Sequence, residues 1–128
     1  MIFIDSDIII DYLRGNEKVV NIVNNLEDEI STTEINVFEV MFGIHLKKEL
    51  NQKQIDSAKE FFNTLNIFPF NSKCGEKSAE ILTDLIKKGN EIDQNDCFIA
   101  SIILENGFNK FLTNNKKHFE KIKELKLI

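Results

Sequence analysis

The chain has 128 residues, 42% of them hydrophobic and 29% charged, a composition typical of one globular domain that can bury a core. Its formal net charge of −5 argues against a protein that coats nucleic acid by bulk electrostatics, although an enzyme could still meet a few phosphates through a metal ion. No apolar run approaches the roughly 18 residues of a membrane span, and the first apolar stretch, which meets Asp5 at once, does not resemble a signal peptide. We therefore expect a single cytoplasmic domain over residues 1–128, with no membrane contact and with reduced cysteines.

The first quarter of the chain predicts two strands and two helices. Ile2–Ile4 form a short continuous apolar run, which is typical of a strand buried on both faces. A short helix is expected next, with Asp7 as its N-cap and Gly15 at its end. The segment "NEKVVNIVNNLED" predicts a second helix, and "EIST" (29–32) predicts a second strand. The apolar face of the second helix comprises Val19, Ile22, Val23 and Leu26.

The middle of the chain predicts two helices and one strand. The segment "TEINVFEVMFGIHLKKEL" indicates a long helix with Ile35, Phe38 and Phe42 along one apolar stripe. The segment "QIDSAKEFFNTL" indicates another helix. The segment "NIFPF" indicates a strand, in which Pro69 marks the strand's end or a sheet edge.

The last third of the chain completes an alternating pattern. Two helices, "EKSAEILTDLIKKG" and the buried-looking "NDCFIASIILENG", are expected to end at Gly89 and Gly107. "KFLT" and "LKLI" predict strands, with the short helix "NKKHFEKI" between them. Short apolar strands alternating with longer helices predict an α/β fold, a three-layer α/β/α sandwich around a central, mainly parallel sheet of about five strands. Ligands of such sheets gather beyond the carboxyl ends of the strands, where Asp5 and Thr113 fall.

Four polar residues lie in an apolar stretch or close to the end of a predicted strand, and each could also have a purely structural role. They are Asp5, Glu39, Asp96 and Asn115. Asp5 suits a cap or turn, and Glu39 suits a solvated helix face. Asp96 suits the first turn of a helix, Asn115 suits a turn, and Asp93 is more simply a loop acid. Three acids that meet at one edge, however, would raise one another's pKa, and a divalent cation removes this conflict. Carboxylates suit Mg²⁺ or Mn²⁺, and such a site suits phosphodiester hydrolysis.

The remaining reactive side chains give weaker signals. His45 and His118 do not have the spacing of zinc ligands; we interpret His45 as a helix-surface residue and expect His118 near the site. Cys97 lies inside an apolar helix, so we interpret it as a core residue rather than a nucleophile. Among the lysine pairs, Lys116 and Lys117 are best placed to meet RNA phosphate.

Four motifs, in this order, resemble those of the PIN-domain ribonucleases, specifically the VapC-type toxins of type II toxin–antitoxin pairs. "FIDSDIIIDYLRG" is similar to the family's opening strand, its first metal-binding aspartate and the helix after it. "STTEINVFEVMFG" is similar to the second motif, in which a glutamate precedes a glycine by four positions. "NDCFIASIILENG" resembles the third motif, an aspartate followed by an Ile-Ala pair, and "FLTNNKKHF" resembles the fourth. The matching residues are Asp5, Ser6, Asp7, Glu39, Gly43, Asp96, Ile99, Ala100, Thr113, Asn115 and Phe119.

The resemblance implies a Mg²⁺-dependent endoribonuclease (with Mn²⁺ as an alternative ion), a homodimer and a cognate antitoxin. Asp5, Glu39 and Asp96 would hold the metal, directly or through water. Asn115 and Thr113 would orient an acid or a water, and the further residues supporting the site or orienting the substrate would be Ser6, Asp7 and His118. Many relatives carry an acid at the position of Asn115, so the neutral amide weakens the case for a tightly held second metal ion. The antitoxin would cover the acidic groove, often with an arginine that reaches the carboxylates.

Three alternatives to this activity remain open at the level of sequence. "FIDSD" also matches the Asp-x-Asp opening of haloacid-dehalogenase-type phosphatases, with Asp5 as nucleophile and Asp7 as general acid. A receiver-like signalling domain would also bind Mg²⁺ with clustered acids, but "NIFPFNS" lacks the aspartate it requires. The third alternative is a non-catalytic binding module that keeps the fold and uses its acids for partner capture only.

Overall fold

Five parallel strands form one sheet in the computed structural model, which describes residues 1–128. The strands are β1 (Ile2–Ile4), β2 (Ile30–Thr33), β3 (Asn66–Phe68), β4 (Lys110–Leu112) and β5 (Lys126–Leu127). The helices are α1 (Ser6–Leu13), α2 (Glu17–Asn24), α3 (Glu34–His45), α4 (Gln52–Asn63), α5 (Ser72–Lys87), α6 (Gln94–Glu105) and α7 (Lys116–Phe119). None of these helices is both long and apolar enough to cross a lipid bilayer.

The sheet order is β3-β2-β1-β4-β5, so β1 lies at the centre. Phe3 pairs with Ser31 of β2 and Phe111 of β4. The backbone N–H of Asp5 continues the pairing with β4 by donating to the Leu112 carbonyl (2.9 Å). Because all pairings are parallel, the carboxyl ends of the strands share one edge of the sheet, and Asp5 is held at that edge. β3 is an edge strand that ends one residue before Pro69, as predicted.

The two faces of β1 contribute to two separate hydrophobic cores. Ile2 and Ile4 pack with residues of α1, α2, α3 and α4 on one face of the sheet. Phe3 points to the opposite face and packs with residues of α5, α6 and α7. Since side chains alternate between the faces of a strand, helices must cover both faces of the sheet. The predicted three-layer α/β/α arrangement is therefore confirmed.

The predicted apolar stripe of α3 is wrong. The buried face of this helix comprises Asn36, Val40 and Ile44, whereas Phe38 and Phe42 are 57% and 51% exposed. The two exposed rings stack on each other, with centroids 5.4 Å apart. The helix carries apolar side chains on nearly every side, so periodicity alone could not show which side meets α1 and α4.

Three smaller expectations also need correction. Asp5, not Asp7, is the N-cap of α1, and its Oδ1 accepts a hydrogen bond from the Ser6 backbone N–H (2.8 Å). Ile22 is exposed rather than part of the buried face of α2. α5 begins at Ser72, earlier than its apolar pattern indicated, because Asn71 caps it.

Candidate functional site

Asp5 is the most enclosed acid of the candidate site, with only 7% of its surface exposed. Its Oδ2 accepts a hydrogen bond from Thr113 Oγ1 (2.6 Å), and its Oδ1 accepts from the Ser6 backbone N–H and from Asn36 Nδ2 (3.1 Å). Burial nevertheless raises the pKa of Asp5 to about 7, with further contributions from the negative charges of Asp7 and Glu39. A cation bound to Asp5 would therefore stabilise the charged form of this carboxylate.

A buried asparagine connects Asp5 to Glu39. Asn36 Nδ2 donates to Asp5 Oδ1 and to Ser6 Oγ (2.9 Å), while Asn36 Oδ1 accepts from Thr33 Oγ1 (2.7 Å). Ser6 Oγ in turn donates to Glu39 Oε1 (2.7 Å). The network fixes Glu39 of α3 beside Asp5, which directly follows β1 and lies 34 positions away in the chain. The sequence analysis missed Asn36, although an amide three positions before Glu39 in an apolar stretch was a signal.

A second cluster forms where α6 begins. Asp96 is buried in the first turn of this helix, and its Oδ2 lies 3.3 Å from His118 Nδ1. The same ring nitrogen lies 3.1 Å from Asn115 Nδ2. Burial raises the pKa of Asp96, and the nearby charges of Glu39 and Asp93 raise it further. His118, which the sequence analysis expected near the site, therefore lies beside Asp96.

Asp93 belongs to this second cluster and was missed by the sequence analysis, which treated it as a loop acid. It stands at the N-cap position of α6, yet its side chain makes no capping hydrogen bond. One ligand atom from each of Asp93, Asp96 and His118 lies within 4.8 Å of the other two. The spacing of three residues between Asp93 and Asp96 puts both on one side of the helix start, and this was the available signal.

Asp7 and Thr113 hold the loop that follows β4. Asp7 Oδ2 accepts a hydrogen bond from the backbone N–H of Asn114 (3.0 Å), and Thr113 Oγ1 accepts one from the backbone N–H of Asn115 (3.0 Å). Partial burial raises the pKa of Asp7. Asp7 thus ties this loop to α1, and Thr113 links the loop to Asp5.

The acids are coupled through Glu39, whose charge acts on Asp5, Asp7 and Asp96. One oxygen of Glu39 and one of Asp96 accept no hydrogen bond within the chain, so both remain available as ligands. A set of carboxylate oxygens with mutual repulsion fits a hard divalent cation such as Mg²⁺ or Mn²⁺. Asp5, Glu39 and Asp96 could hold such an ion.

Cys97 and His45 lie where the sequence predicted them, in the core and on a helix surface. Cys97 is fully buried, and burial raises the pKa of its thiol to about 11, which agrees with a core residue. His45 is exposed at the end of α3. Lys116 and Lys117 are exposed in α7, directly after Asn115, and neither forms an ion pair.

Comparison with known proteins gives concordant results. Residues 2–125 match the family model of the PIN domain. The chain is 38% identical over 110 residues to Ribonuclease VapC2 of Rickettsia felis, covering 80% of this chain and 78% of that protein. A crystal structure of VapBC2 from Rickettsia felis bound to a DNA fragment from their promoter is similar, with a TM-score of 0.87, 26% identity and coverage of 100% and 98% of the two chains. FitAcB from Neisseria gonorrhoeae shares the fold, with a TM-score of 0.84, 24% identity and coverage of 100% and 96%.

Proposed function

This chain belongs to the PIN-domain family as a VapC-type member, and on that premise we propose that it is a metal-dependent endoribonuclease, the toxin of a type II toxin–antitoxin pair. The observation that carries the proposal is the position of Glu39 in α3, whose negative charge acts both on Asp5, directly after β1, and on Asp96 in α6. Family membership disfavours the phosphatase and the receiver-like alternatives. The nuclease domain is taken to be the whole chain, residues 1–128, acting in the cytoplasm.

The proposed mechanism assigns Asp5, Glu39 and Asp96 as the ligands of one Mg²⁺ or Mn²⁺ ion. When bound, the ion supplies Lewis-acid stabilisation of phosphate charge and favours water as the nucleophile at the phosphodiester. Asn36, through its hydrogen bonds to Asp5 and Ser6, holds two of the ligands in register. This pre-organisation matters because a ligand that must rotate into place lowers the affinity of a metal site.

The loop after β4 supplies the remaining groups of the proposed mechanism. Thr113 keeps Asp5 oriented, and Asn115 orients a water or an acid at the edge of the site. His118, beside Asp96 and Asn115, orients the substrate. Lys116 and Lys117, exposed at the start of α7, contact RNA phosphates and offset the negative charge of the acids.

Two protein partners complete the proposal, a cognate antitoxin and a second copy of the chain. The similar Rickettsia felis structure is a VapBC2 assembly, which supports an antitoxin partner, and an acidic site suits a cationic segment of such a partner. A homodimer is supported by exposed apolar side chains, Phe38 and Phe42 on α3 and Leu46 directly after it. If this surface pairs two copies, the double variant Phe38→Ser/Phe42→Ser is expected to sediment as a monomer, whereas a native chain that is itself monomeric would refute the dimer.

The activity is tested with purified native chain, Asp5→Asn and Asp96→Asn on a structured RNA, with Mg²⁺ and with a chelator. We expect Mg²⁺-dependent cleavage by the native chain and a loss of about 100-fold or more in each variant, because each removes a charged ligand. Asp56→Asn is the matched control, since Asp56 is exposed on α4, away from the site. Unchanged cleavage in both site variants would refute the site. A folded native chain without any cleavage would favour the non-catalytic binding module.

A further inference from the structure

Basic residues are distributed unevenly along this acidic chain. Residues 110–126 carry six lysines and two glutamates, whereas the rest of the chain carries ten basic and nineteen acidic residues. This segment therefore has a formal net charge of +4 in a chain whose net charge is −5. Such an asymmetry of charge indicates a surface that meets a polyanion.

The fold extends this segment from one edge of the sheet to the other. α7 begins at Lys116, directly after Asn115, which lies beside His118 at the acidic site. A series of turns follows, and the backbone N–H of Lys126 then donates to the carbonyl of Asn109 (2.8 Å), next to the start of β4. The segment thus leads from the acidic site to the opposite edge, on the face of the sheet that α5 and α6 also cover.

Every third side chain in the turns of this segment is buried, and this directs the lysines outward. Phe119, Ile122 and Leu125 belong to the hydrophobic core. Backbone hydrogen bonds set the spacing of three, from the Ile122 N–H to the Phe119 carbonyl (3.0 Å) and from the Leu125 N–H to the Ile122 carbonyl (3.2 Å). Five lysines at the surface of the segment, four of them exposed and one half-buried, form what we call the lysine strip. They are Lys116, Lys117, Lys121, Lys123 and Lys126.

The positive charge of the lysine strip is not neutralised within the chain. None of its five ammonium groups takes part in an ion pair or in a side-chain hydrogen bond. Glu124, one of the two glutamates of the segment, is already paired with Lys77 of α5 (3.7 Å). Only Glu120 therefore opposes the charge of the strip from within the segment.

Lys126 adds an independent observation. In the pairing of β4 with β5 it lies directly beside Lys110, and like charges on neighbouring strands destabilise a sheet. Asp28 Oδ2 accepts a hydrogen bond from Lys110 Nζ (2.9 Å), whereas Lys126 forms no ion pair. The stability of the sheet therefore does not account for a lysine at this position.

The composition of this surface fits a phosphate backbone better than an acidic protein. Protein interfaces have an apolar centre, whereas nucleic-acid interfaces are more polar and more positively charged. No large hydrophobic side chain is exposed between residues 110 and 127. Phe111 and Phe119, the phenylalanines of the segment, are fully buried, so neither can stack on a base. Contacts of the strip would therefore be with phosphates, independent of base sequence.

We propose that the lysine strip binds the phosphate backbone of RNA beside the cleaved bond and so guides the RNA into the acidic site. The choice of RNA rests on the proposed function, whereas the affinity of the strip for a phosphate backbone does not. A cluster of acids repels the polyanion that it must bind, and a strip of opposite charge that begins one residue after Asn115 offsets this repulsion. The RNA then leaves the site along α7 toward β5.

The experiment measures binding of a fluorescently labelled oligouridine of about 16 nucleotides by anisotropy. The full chain is used at several salt concentrations in a chelator, so that no metal-dependent cleavage occurs. The variant Lys121→Gln/Lys123→Gln/Lys126→Gln removes three charges of the strip that lie away from the acids. We expect it to weaken RNA binding about tenfold or more at low salt, and to reduce the steepness of log K against log salt concentration by about 2.

A matched variant and a second ligand serve as controls. Lys18→Gln/Lys48→Gln/Lys59→Gln makes the same change in net charge at exposed positions in α2, after α3 and in α4, on the other face of the sheet. It should weaken RNA binding by less than about threefold. An oligoglutamate peptide of similar charge should bind the native chain much more weakly than the RNA does. Urea unfolding midpoints verify that both variants are folded.

Four outcomes would overturn the proposal. They are no binding of RNA by the native chain in the chelator, unchanged binding by the strip variant, equal losses in the strip and control variants, and an oligoglutamate that binds as tightly as RNA. The last outcome would assign the strip to an acidic protein instead.

Failure of the proposed function is distinguishable, because cleavage of RNA by the native chain is measured separately with Mg²⁺. Loss of RNA binding in the strip variant, together with a native chain that cleaves nothing, counts against the nuclease only. Cleavage by the native chain, together with unchanged RNA binding by the strip variant, counts against the lysine strip only.

Discussion

Replacing Asp5 with asparagine is expected to stabilise the metal-free protein at alkaline pH, even though it removes a residue of the proposed active site. Burial raises the pKa of Asp5 from 3.8 to about 7, so the folded chain holds a proton there more tightly than the unfolded chain does. Below pH 3.8 the group is neutral in both states. Above pH 7 the carboxyl group is ionised in both states, and the folded state carries the full free-energy cost of burying its negative charge. Stability should therefore fall as pH rises between these two values.

The size of this effect follows from the shift of roughly three pKa units, which corresponds to roughly 4 kcal/mol at 1.36 kcal/mol per unit. Asparagine has the shape of aspartate and stays neutral. Its Oδ1 can accept from the Ser6 backbone N–H and Asn36, and its Nδ2 can donate to Thr113 Oγ1. We thus expect Asp5→Asn to be more stable than the native chain by several kcal/mol near pH 8, and by less than about 1 kcal/mol near pH 4.

The assay measures the free energy of unfolding of the native chain and of Asp5→Asn by urea titration, in the presence of a chelator, near pH 4 and near pH 8. Asp56→Asn again serves as the control for the loss of one negative charge at an exposed position. Saturating Mg²⁺ at the alkaline pH should raise the stability of the native chain, because a ligand that binds only the folded state stabilises it, and should affect Asp5→Asn far less. An Asp5→Asn protein that is less stable than the native chain near pH 8 would refute the reasoning about buried charge.

Three further predictions concern the supports of the site. Asn36→Ala should lower the free energy of unfolding by about 2 to 3 kcal/mol in urea titrations, because Thr33 and Ser6 lose a buried partner; a change below about 0.5 kcal/mol would contradict the network. Phe119→Ala should cost about 3 to 5 kcal/mol by the same measurement, because the fully buried ring packs edge-on against Phe111 at 4.7 Å; a small loss would mean that the core closes around the gap. Asp96→Asn should abolish most of the Mg²⁺-induced rise in melting temperature; a rise equal to that of the native chain would exclude Asp96 as a ligand.

The fold class could be predicted from the sequence because strands and helices are indicated by patterns of a few neighbouring residues. The apolar run Ile2–Ile4 predicts a buried strand, and the switch from such runs to helical periodicity predicts parallel strands with crossover helices. Asp5 and Thr113 follow directly after strands, so their shared edge of the sheet was predictable as well. Ser6 and Asp96 were expected near this edge, and both lie in the networks described above.

What the sequence by itself determined is the succession of strands and helices along the chain and the edge of the sheet at which Asp5 and Thr113 lie, since backbone preferences and apolar periodicity act over a few residues. Only the tertiary structure decided that Asn36 faces inward while Phe38 and Phe42 face outward, because α3 is apolar on nearly all sides and its orientation depends on packing against α1 and α4. Only the tertiary structure brought Asp93 to His118 as well. Contacts between residues far apart in the chain arise from packing of whole elements, and no local pattern specifies them.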